Sequence, residues 1–314
     1  MTLSSDEVDV FEDSRARLEA IAYRMLGSAG DAEDVVQETF LRWQAADRDG
    51  VQTPEAWLTK ALTNLCLNQL ASARMRRETY VGQWLPEPLL AGDRMLGPAD
   101  TVEQRESVSI AMLMLMERLT PNERAVYVLR EAFGYSHREI AEILEIGEAN
   151  CQQIYRRAKQ HLATGRARVD VDAAAARKIV EQFLTAAMSG QTEPLVRMLT
   201  EDSMGIGDGG GKVPATARTV SGALAVARFM RGLFRPTASK RQLAGGDVSV
   251  YAAVANGAPA LVVLVDGRVF GVMVLDVTTD GIAAVLNQVN PDKLERATRR
   301  WAGAEHGAPL LESW

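Results

Sequence analysis

Residues 136–162 read SHREIAEILEIGEANCQQIYRRAKQHL, the pattern of two helices joined by a short turn. Ser136 followed by Glu139 is a capping-box pattern that opens the first helix. Ile140, Ile143 and Leu144 fall on one face of that helix, and the small Ala141 lets a second helix approach closely. Gly147 stands where the turn calls for a permissive backbone. In the second helix Ile154, Ala158 and Leu162 recur at i, i+4 and i+8 and point inward. The opposite face carries Asn150, Gln153 and Arg157, with Glu148, Gln152 and Arg156 beside them. Asn, Gln and Arg are the side chains that bond bidentately to base edges in the major groove. Arg156, Arg157 and Lys159 are placed for backbone phosphates. The segment therefore predicts a DNA-reading helix-turn-helix, although a plain helical hairpin with a solvated polar face has the same periodicity. His137 reads as an exposed polar residue with no second His or Cys nearby to make a metal site.

Upstream, Thr120-Pro121-Asn122-Glu123 is a second helix start, with a capping Thr, Pro in the first turn and Glu at the third position. Residues 105–168 thus form one helical domain. Residues 1–80 form another. Its first helix runs through Leu18, Ile21, Met25 and Leu26 and stops at Gly27. Asp31 is expected to cap the next, whose stripe Ala32, Val36, Phe40 and Trp43 belongs to the core. Thr53-Pro54 opens a third helix that runs to Arg74, Arg76 and Arg77. Residues 81–104, VGQWLPEPLLAGDRMLGPADTVEQ, are a linker by their Pro and Gly content. It is no solvated tether, because Trp84, Leu85 and Leu89 prefer to be covered.

Residues 173–302 change character. A helix ending near Gly190 precedes β-like runs, VSVYAAVA, ALVVLV, RVFGVMVLDV and IAAVLNQV, split by turn residues. This predicts an α+β domain with an antiparallel sheet. Residues 303–314 read as a loose tail. The fold class expected is multidomain, two all-α domains followed by an α+β domain.

The formal charge of the 314-residue chain is −6. Residues 1–170 hold 20 Lys and Arg against 27 Asp and Glu, so the half assigned to DNA is the acidic one. Its basic residues are clustered nonetheless, and phosphate contact depends on the local field. An acidic remainder weakens unspecific binding by the free protein, which suits a subunit that meets DNA inside a larger assembly. Cys66 and Cys151 read as reduced structural thiols. No run approaches the roughly 20 apolar residues of a membrane span. The acidic N-terminus lacks a secretory pattern, so a cytoplasmic protein is expected.

The stretch LTPNERAVYVLREAFGYSHREIAEIL (residues 119–144) resembles the C-terminal DNA-reading domain of the extracytoplasmic-function sigma factors of bacterial RNA polymerase. SAGDAEDVVQETFLRW (28–43) and TPEAWLTKALTNLCLNQLASARMRR (53–77) resemble their N-terminal promoter-melting domain. WLPEPL at 84–89, DGGGK at 208–212 and NPDKL at 290–294 extend the similarity to a sigma-J-type subgroup with a SnoaL-like, cone-shaped NTF2 extension.

The resemblance implies a promoter-reading subunit that binds core polymerase through its β′ clamp and β flap. On the second helix, Asp34, Gln37, Glu38 and Leu41 match the clamp-binding face. Asn64, Asn68, Arg48 in the loop 46–53, and Arg74, Arg76 and Arg77 match the surface that opens the −10 element. Asn68 departs from the more frequent Asp, and Trp57 on the same face reads as core rather than as a stacking platform. Glu148, Asn150, Gln152, Gln153, Arg156, Arg157 and Lys159 match the −35 reading helix. Trp84, Leu85, Pro86, Glu87, Pro88 and Leu89, with Asp208, Gly209, Gly210, Gly211 and Lys212 and with Asn290, Pro291, Asp292, Lys293 and Leu294, are implied regulatory contacts. The segment 290–294 is expected to dock on the melting domain or on the linker.

No catalytic residue, cofactor or metal is called for, and a free monomer is expected. Asp208, Asp266 and Asp276 are the carboxylates left for acid–base work in a domain without His before His306, and each reads as an ordinary surface residue. A cone fold has a cavity with room for a small ligand. Two other readings stay open: a repressor that shifts duplex DNA without polymerase, and a fused enzyme that uses the cone.

Overall fold

The computed structural model describes residues 5–47, 50–163, 169, 171–235, 237–238, 242 and 245–312. Arg48 and the side chains of Arg74, Arg76 and Arg77 lie outside what is described. The chain forms two compact units. Met1–Thr79, Arg94–Val108 and Met112–Thr164 make the first; Tyr80–Asp93, Ser109–Ala111 and Gly165–Trp314 make the second.

The first unit is helical. Helices α1 (Ser5–Leu26), α2 (Ala29–Ala45) and α3 (Pro54–Glu78) come first, then α4 (Val102–Ser107) and α5 (Ile110–Met116). Next are α6 (Pro121–Tyr127), which runs on as a π turn, α7 (His137–Leu144) and α8 (Glu148–Leu162). Gly27 ends α1 with φ +69°, as expected. The cap of α2 is Ser28 rather than Asp31: the Ser28 hydroxyl accepts from the Asp31 amide, which places Asp31 inside the first turn. Thr120 and Ser136 make both expected capping boxes, with Glu123 and Glu139. Ala32, Val36 and Trp43 are buried and Phe40 partly so, its ring tilted against Phe11 with centroids 4.7 Å apart.

α1–α3 and α6–α8 pack on each other within this unit. The buried Arg124 guanidinium donates twice to the carbonyl of Arg24 and pairs with Glu117. Arg24, itself buried, donates to Ser107 Oγ at 2.9 Å and to Leu96 O at 2.6 Å. Burial lowers Arg124 to about 9 and Arg24 to about 10, so both stay protonated at neutral pH. Thr59 and Tyr135 hydroxyls meet at 3.1 Å, and Lys60 pairs with Glu145 at 2.8 Å.

The second unit is α+β. Helix α9 (Ala173–Met188) ends just before Gly190, and α10 (Glu193–Val196) follows. Strands β1 (Leu199–Asp208) and β2 (Val220–Ser221), helix α11 (Ala223–Phe234) and strands β3 (Val248–Ala255), β4 (Ala258–Val265), β5 (Arg268–Thr278) and β6 (Gly281–Gln288) complete it with α12 (Glu295–Ala302). The sheet order is β2-β1-β6-β5-β4-β3. β3 to β6 are the four runs read from sequence, and they meander antiparallel. The sheet as a whole is mixed, because β1 pairs with β6 in parallel. β1, LTEDSMGIGD, is poor in β-branched residues, so alternation does not reveal it. Val180, Phe183, Leu184, Val226, Met230 and Phe234 of α9 and α11 pack with Leu261, Met273, Leu275 and Val285 of the sheet as the core. The tail is not loose: Val250 N–H donates to Leu311 O at 2.9 Å, and His306 stacks at 3.6 Å on Trp301. An edge strand with open amides gives the tail something to pair with.

Candidate functional site

The turn of the helix-turn-helix is set by Glu145 rather than by Gly147. Glu145 takes the left-handed conformation at φ 55°, while Gly147 has φ −74° and simply precedes α8. The amides of Glu145 and Ile146 both return to Ala141 O, which closes α7 in the manner that usually favours Gly. The hydrogen bond from Lys60 lowers the Glu145 carboxyl below its ordinary value.

On α8, Cys151, Ile154, Ala158 and Leu162 are buried. Glu148, Asn150, Gln153, Arg156, Arg157 and Lys159 are exposed, and Gln152 is half-buried. Arg156 has no partner among the described residues, whereas Arg157 lies 4.0 Å from Glu123 and Lys159 3.8 Å from Glu131. His137 has closer company than the sequence suggests: Cys151 Sγ lies 3.8 Å from its Nδ1. The spacing of 14 residues hides this, because the turn folds α8 back on α7. Among the described residues no group of three or more potential metal ligands occurs.

On α2, Asp34 and Gln37 are exposed, Glu38 pairs with Arg42 at 3.1 Å, and Leu41 is 50% exposed. On α3, Asn64 and Asn68 are exposed with no hydrogen-bond partner among the described residues, and Trp57 packs against Trp43 at 5.3 Å. The α2 and α3 faces of one helical unit thus expose polar groups, of which Asn64 and Asn68 have no hydrogen-bond partner among the described residues.

The second cluster lies wholly in the α+β unit, to which Tyr80–Asp93 belong. Leu85, Pro86, Glu87, Pro88 and Leu89 are buried and Trp84 is half-buried. Asp208, read as a surface carboxylate, is fully buried. Five donors surround it: Tyr80 Oη at 2.6 Å, the Leu85 amide at 2.9 Å, the Gly210 amide at 3.0 Å, Gln288 Nε2 at 3.1 Å and Lys293 Nζ at 2.7 Å. Lys293 also donates to Leu85 O at 2.7 Å and lies over the rings of Trp84 and Tyr80. Burial, with the Asp208 carboxylate, pushes the Tyr80 hydroxyl well above its usual range. Asn290 Nδ2 donates to Tyr80 Oη at 2.8 Å. Lys212 and Asp292 pair at 2.7 Å on the outside.

The glycines of 209–211 are a packing requirement. A Cβ at Gly209 would sit 2.0 Å from Val213 O, and one at Gly210, where φ is +59°, 2.3 Å from Asn290 Nδ2. Leu294 is buried. The three motifs picked out separately, 84–89, 208–212 and 290–294, therefore converge on one buried carboxylate. Sequence reading missed Tyr80 and Gln288, which no motif flags. It also missed Asn256, whose side chain accepts from the Leu89 amide at 2.8 Å, and the Arg296–Asp93 pair at 2.6 Å.

Residues 10–76 match the family model for Sigma-70 region 2, and residues 109–162 that for Sigma-70, region 4. The chain is 35% identical over 297 residues to the extracytoplasmic-function RNA polymerase sigma factor SigJ of Mycobacterium tuberculosis, covering 91% of this chain and 93% of SigJ. The chain belongs to the extracytoplasmic-function sigma factors. A probable sigma factor of the same organism, SigI, is 31% identical, with 90% and 92% of the two chains covered. The crystal structure of Mycobacterium tuberculosis SigJ superposes with a TM-score of 0.69 at 30% identity, over 91% of this chain and 97% of that one. As a sigma factor the protein partners core RNA polymerase, recognises promoters and initiates transcription. Its helical segments are the region 2 and region 4 domains, and its C-terminal domain is SnoaL-like.

Proposed function

We propose that the SnoaL-like unit of this sigma factor regulates it in cis by holding the linker between regions 2 and 4. The supporting observation is the burial of Asp208 under donors from Tyr80, Leu85 and Lys293. A linker fixed at Tyr80–Asp93 limits how far the two promoter-binding domains can separate. In this reading Asp34, Gln37, Glu38 and Leu41 bind the β′ clamp, and region 4 meets the β flap. Asn64 takes an edge bond from an unstacked base, Asn68 and Arg48 assist at the −10 element, and Arg74, Arg76 and Arg77 hold phosphates. Asn150, Gln153 and Arg157 read −35 base edges, with Glu148 and Gln152 beside them and Arg156 and Lys159 on phosphates.

The protein works in the cytoplasm with its polymerase, is monomeric when free, and takes no catalytic step of its own. The unit also has an open apolar pocket of about 290 Å³, lined by Leu233, Val250, Val263, Phe270 and Met273, with Asn287 as its polar side chain. That pocket suits a small apolar ligand. The test is to compare the full chain, Asp208→Asn and a truncation before Asn290 for core-polymerase binding and promoter-specific transcription. A shift in either property is expected in both variants; no change in either direction removes the regulatory claim.

A further inference from the structure

Strand β3 lies at the free edge of the sheet, and two segments cover its ends. At one end the linker bridges it: Ala91 N–H donates to Val254 O at 3.0 Å, and Asn256 N–H to Leu89 O at 2.9 Å. At the other the tail does so, with Val250 N–H donating to Leu311 O at 2.9 Å and Leu310 N–H to Val250 O at 2.7 Å. Alternate residues of an antiparallel strand turn their amides to the same side. Ala252, midway between Val250 and Val254, therefore turns its N–H and C=O away from β4 as they do. Among the described residues neither group has a partner.

This open pair lies in a cleft of about 330 Å³, at the small end of the range for ligand sites. Leu90 and Ala91 of the linker bound it on one side and Ala304–Gly307 on the other, with Trp301 among its walls. Arg177 and Arg300 also line it with Glu305, and Arg177 Nε pairs with Glu181, outside the lining, at 2.7 Å. Arg177 Nη1 donates to Ala308 O at 3.2 Å and Arg300 Nε to Ala91 O at 3.3 Å. These bonds fix the guanidiniums to tail and linker while leaving further N–H groups of each fork. His306 Nε2 donates to Trp301 O at 2.6 Å, which leaves Nδ1 as the ring's other polar atom.

We propose that this cleft binds a free, dipeptide-sized molecule that ends in a carboxylate. An outward-facing N–H and C=O on a strand edge is the complement of a peptide group. Guanidinium forks are the complement of the carboxylate. Val250 and Val254 are four strand steps apart, about 13 Å, and both ends are occupied. About two residues fit between the caps, which favours a small molecule over the end of a longer chain. The inference does not depend on the regulatory reading above.

Isothermal titration of the full chain with N-acetyl-Ala-Ala tests it. Saturable binding of one molecule per chain is expected. The corresponding amide should bind about ten-fold more weakly or worse, as should Arg177→Gln and Arg300→Gln, because each change removes charge-assisted bonds. Ala252→Pro removes the outward N–H and leaves the β3–β4 ladder intact, so it should weaken binding while the melting curve stays cooperative. A hexapeptide ending in Ala-Ala should bind less well than the dipeptide. The proposal falls if no saturable binding is found, if acid and amide bind alike, or if either arginine variant binds as the parent does. A hexapeptide that binds equally or better overturns the small-molecule occupant. If Ala252→Pro does not fold, the amide and the arginine variants decide the matter.

Discussion

At the residue scale, Asp208 is held in place by geometry. A buried carboxylate needs paired charge and several donors to offset its lost hydration, and Lys293 with four further donors supplies both. Asp208→Asn keeps the shape but leaves the Lys293 ammonium without its counter-charge. It should loosen Tyr80–Asp93 at a cost of about 3–5 kcal/mol. Limited proteolysis and Trp84 fluorescence will show it: the variant's linker should be cut several-fold faster, with a shifted emission. A second residue-scale case is Glu139, whose hydrogen bonds from Ser136 hold its carboxyl below the ordinary 4.5. A lowered folded value means stability that is full above about pH 4.5 and lost as pH falls through the folded value. The protection factors of amides in the first turn of α7, taken against intrinsic exchange at each pH, should therefore fall on acidification. In Glu139→Gln that pH response should vanish, and Ser136→Ala should cost about 1 kcal/mol at neutral pH.

At the element scale, the exposed face of α8 separates two kinds of contact. Arg156 has no internal partner among the described residues, whereas Arg157 and Lys159 must leave Glu123 and Glu131 to reach a phosphate. With the holoenzyme on promoter DNA, Arg156→Ala should flatten the salt dependence of binding by about one charge. Gln153→Ala should instead relax preference at the −35 element, measured on substituted promoters, with about 1–3 kcal/mol less discrimination. The helix-turn-helix, its capping boxes and the four strands β3–β6 were legible in the sequence because each carries its own period and its own punctuation. What escaped notice depends on partners distant in the chain. β1 is a strand because β6 pairs with it, not because Thr200, Glu201, Asp202 and Ser203 favour one. Asp208 is indistinguishable by local sequence from a turn carboxylate; its burial is created by Leu85 and Lys293, at separations of 123 and 85 residues. Glu145 took a conformation for which Gly147 is the more obvious choice, supported by Lys60 in another helix.

At the scale of the whole molecule, regions 2 and 4 sit together in one unit, joined by Arg124, Thr59 and Lys60. The −10 and −35 elements are about 25 base pairs apart, roughly 85 Å of duplex at 3.4 Å per step. On the reading proposed above, in which region 2 takes the −10 element and region 4 the −35 element, domains in mutual contact cannot sit on both, and this unit opens before a promoter is engaged. With Lys60→Cys and Glu145→Cys joined by a short bis-maleimide, promoter-specific transcription should drop at least ten-fold, while the same variant left unlinked keeps it; full activity in the linked protein would show that opening is unnecessary. The linker contact has a further consequence in time. Lys293 follows Leu85 by 208 residues. At about 5–20 residues per second, a ribosome needs some 10–40 s to make that interval. Within that interval the helix-turn-helix is completed and Asp208 is made, and only afterwards the Lys293 ammonium that bonds both Asp208 and Leu85 O, so translation speed sets how long each linker goes without its last fastening.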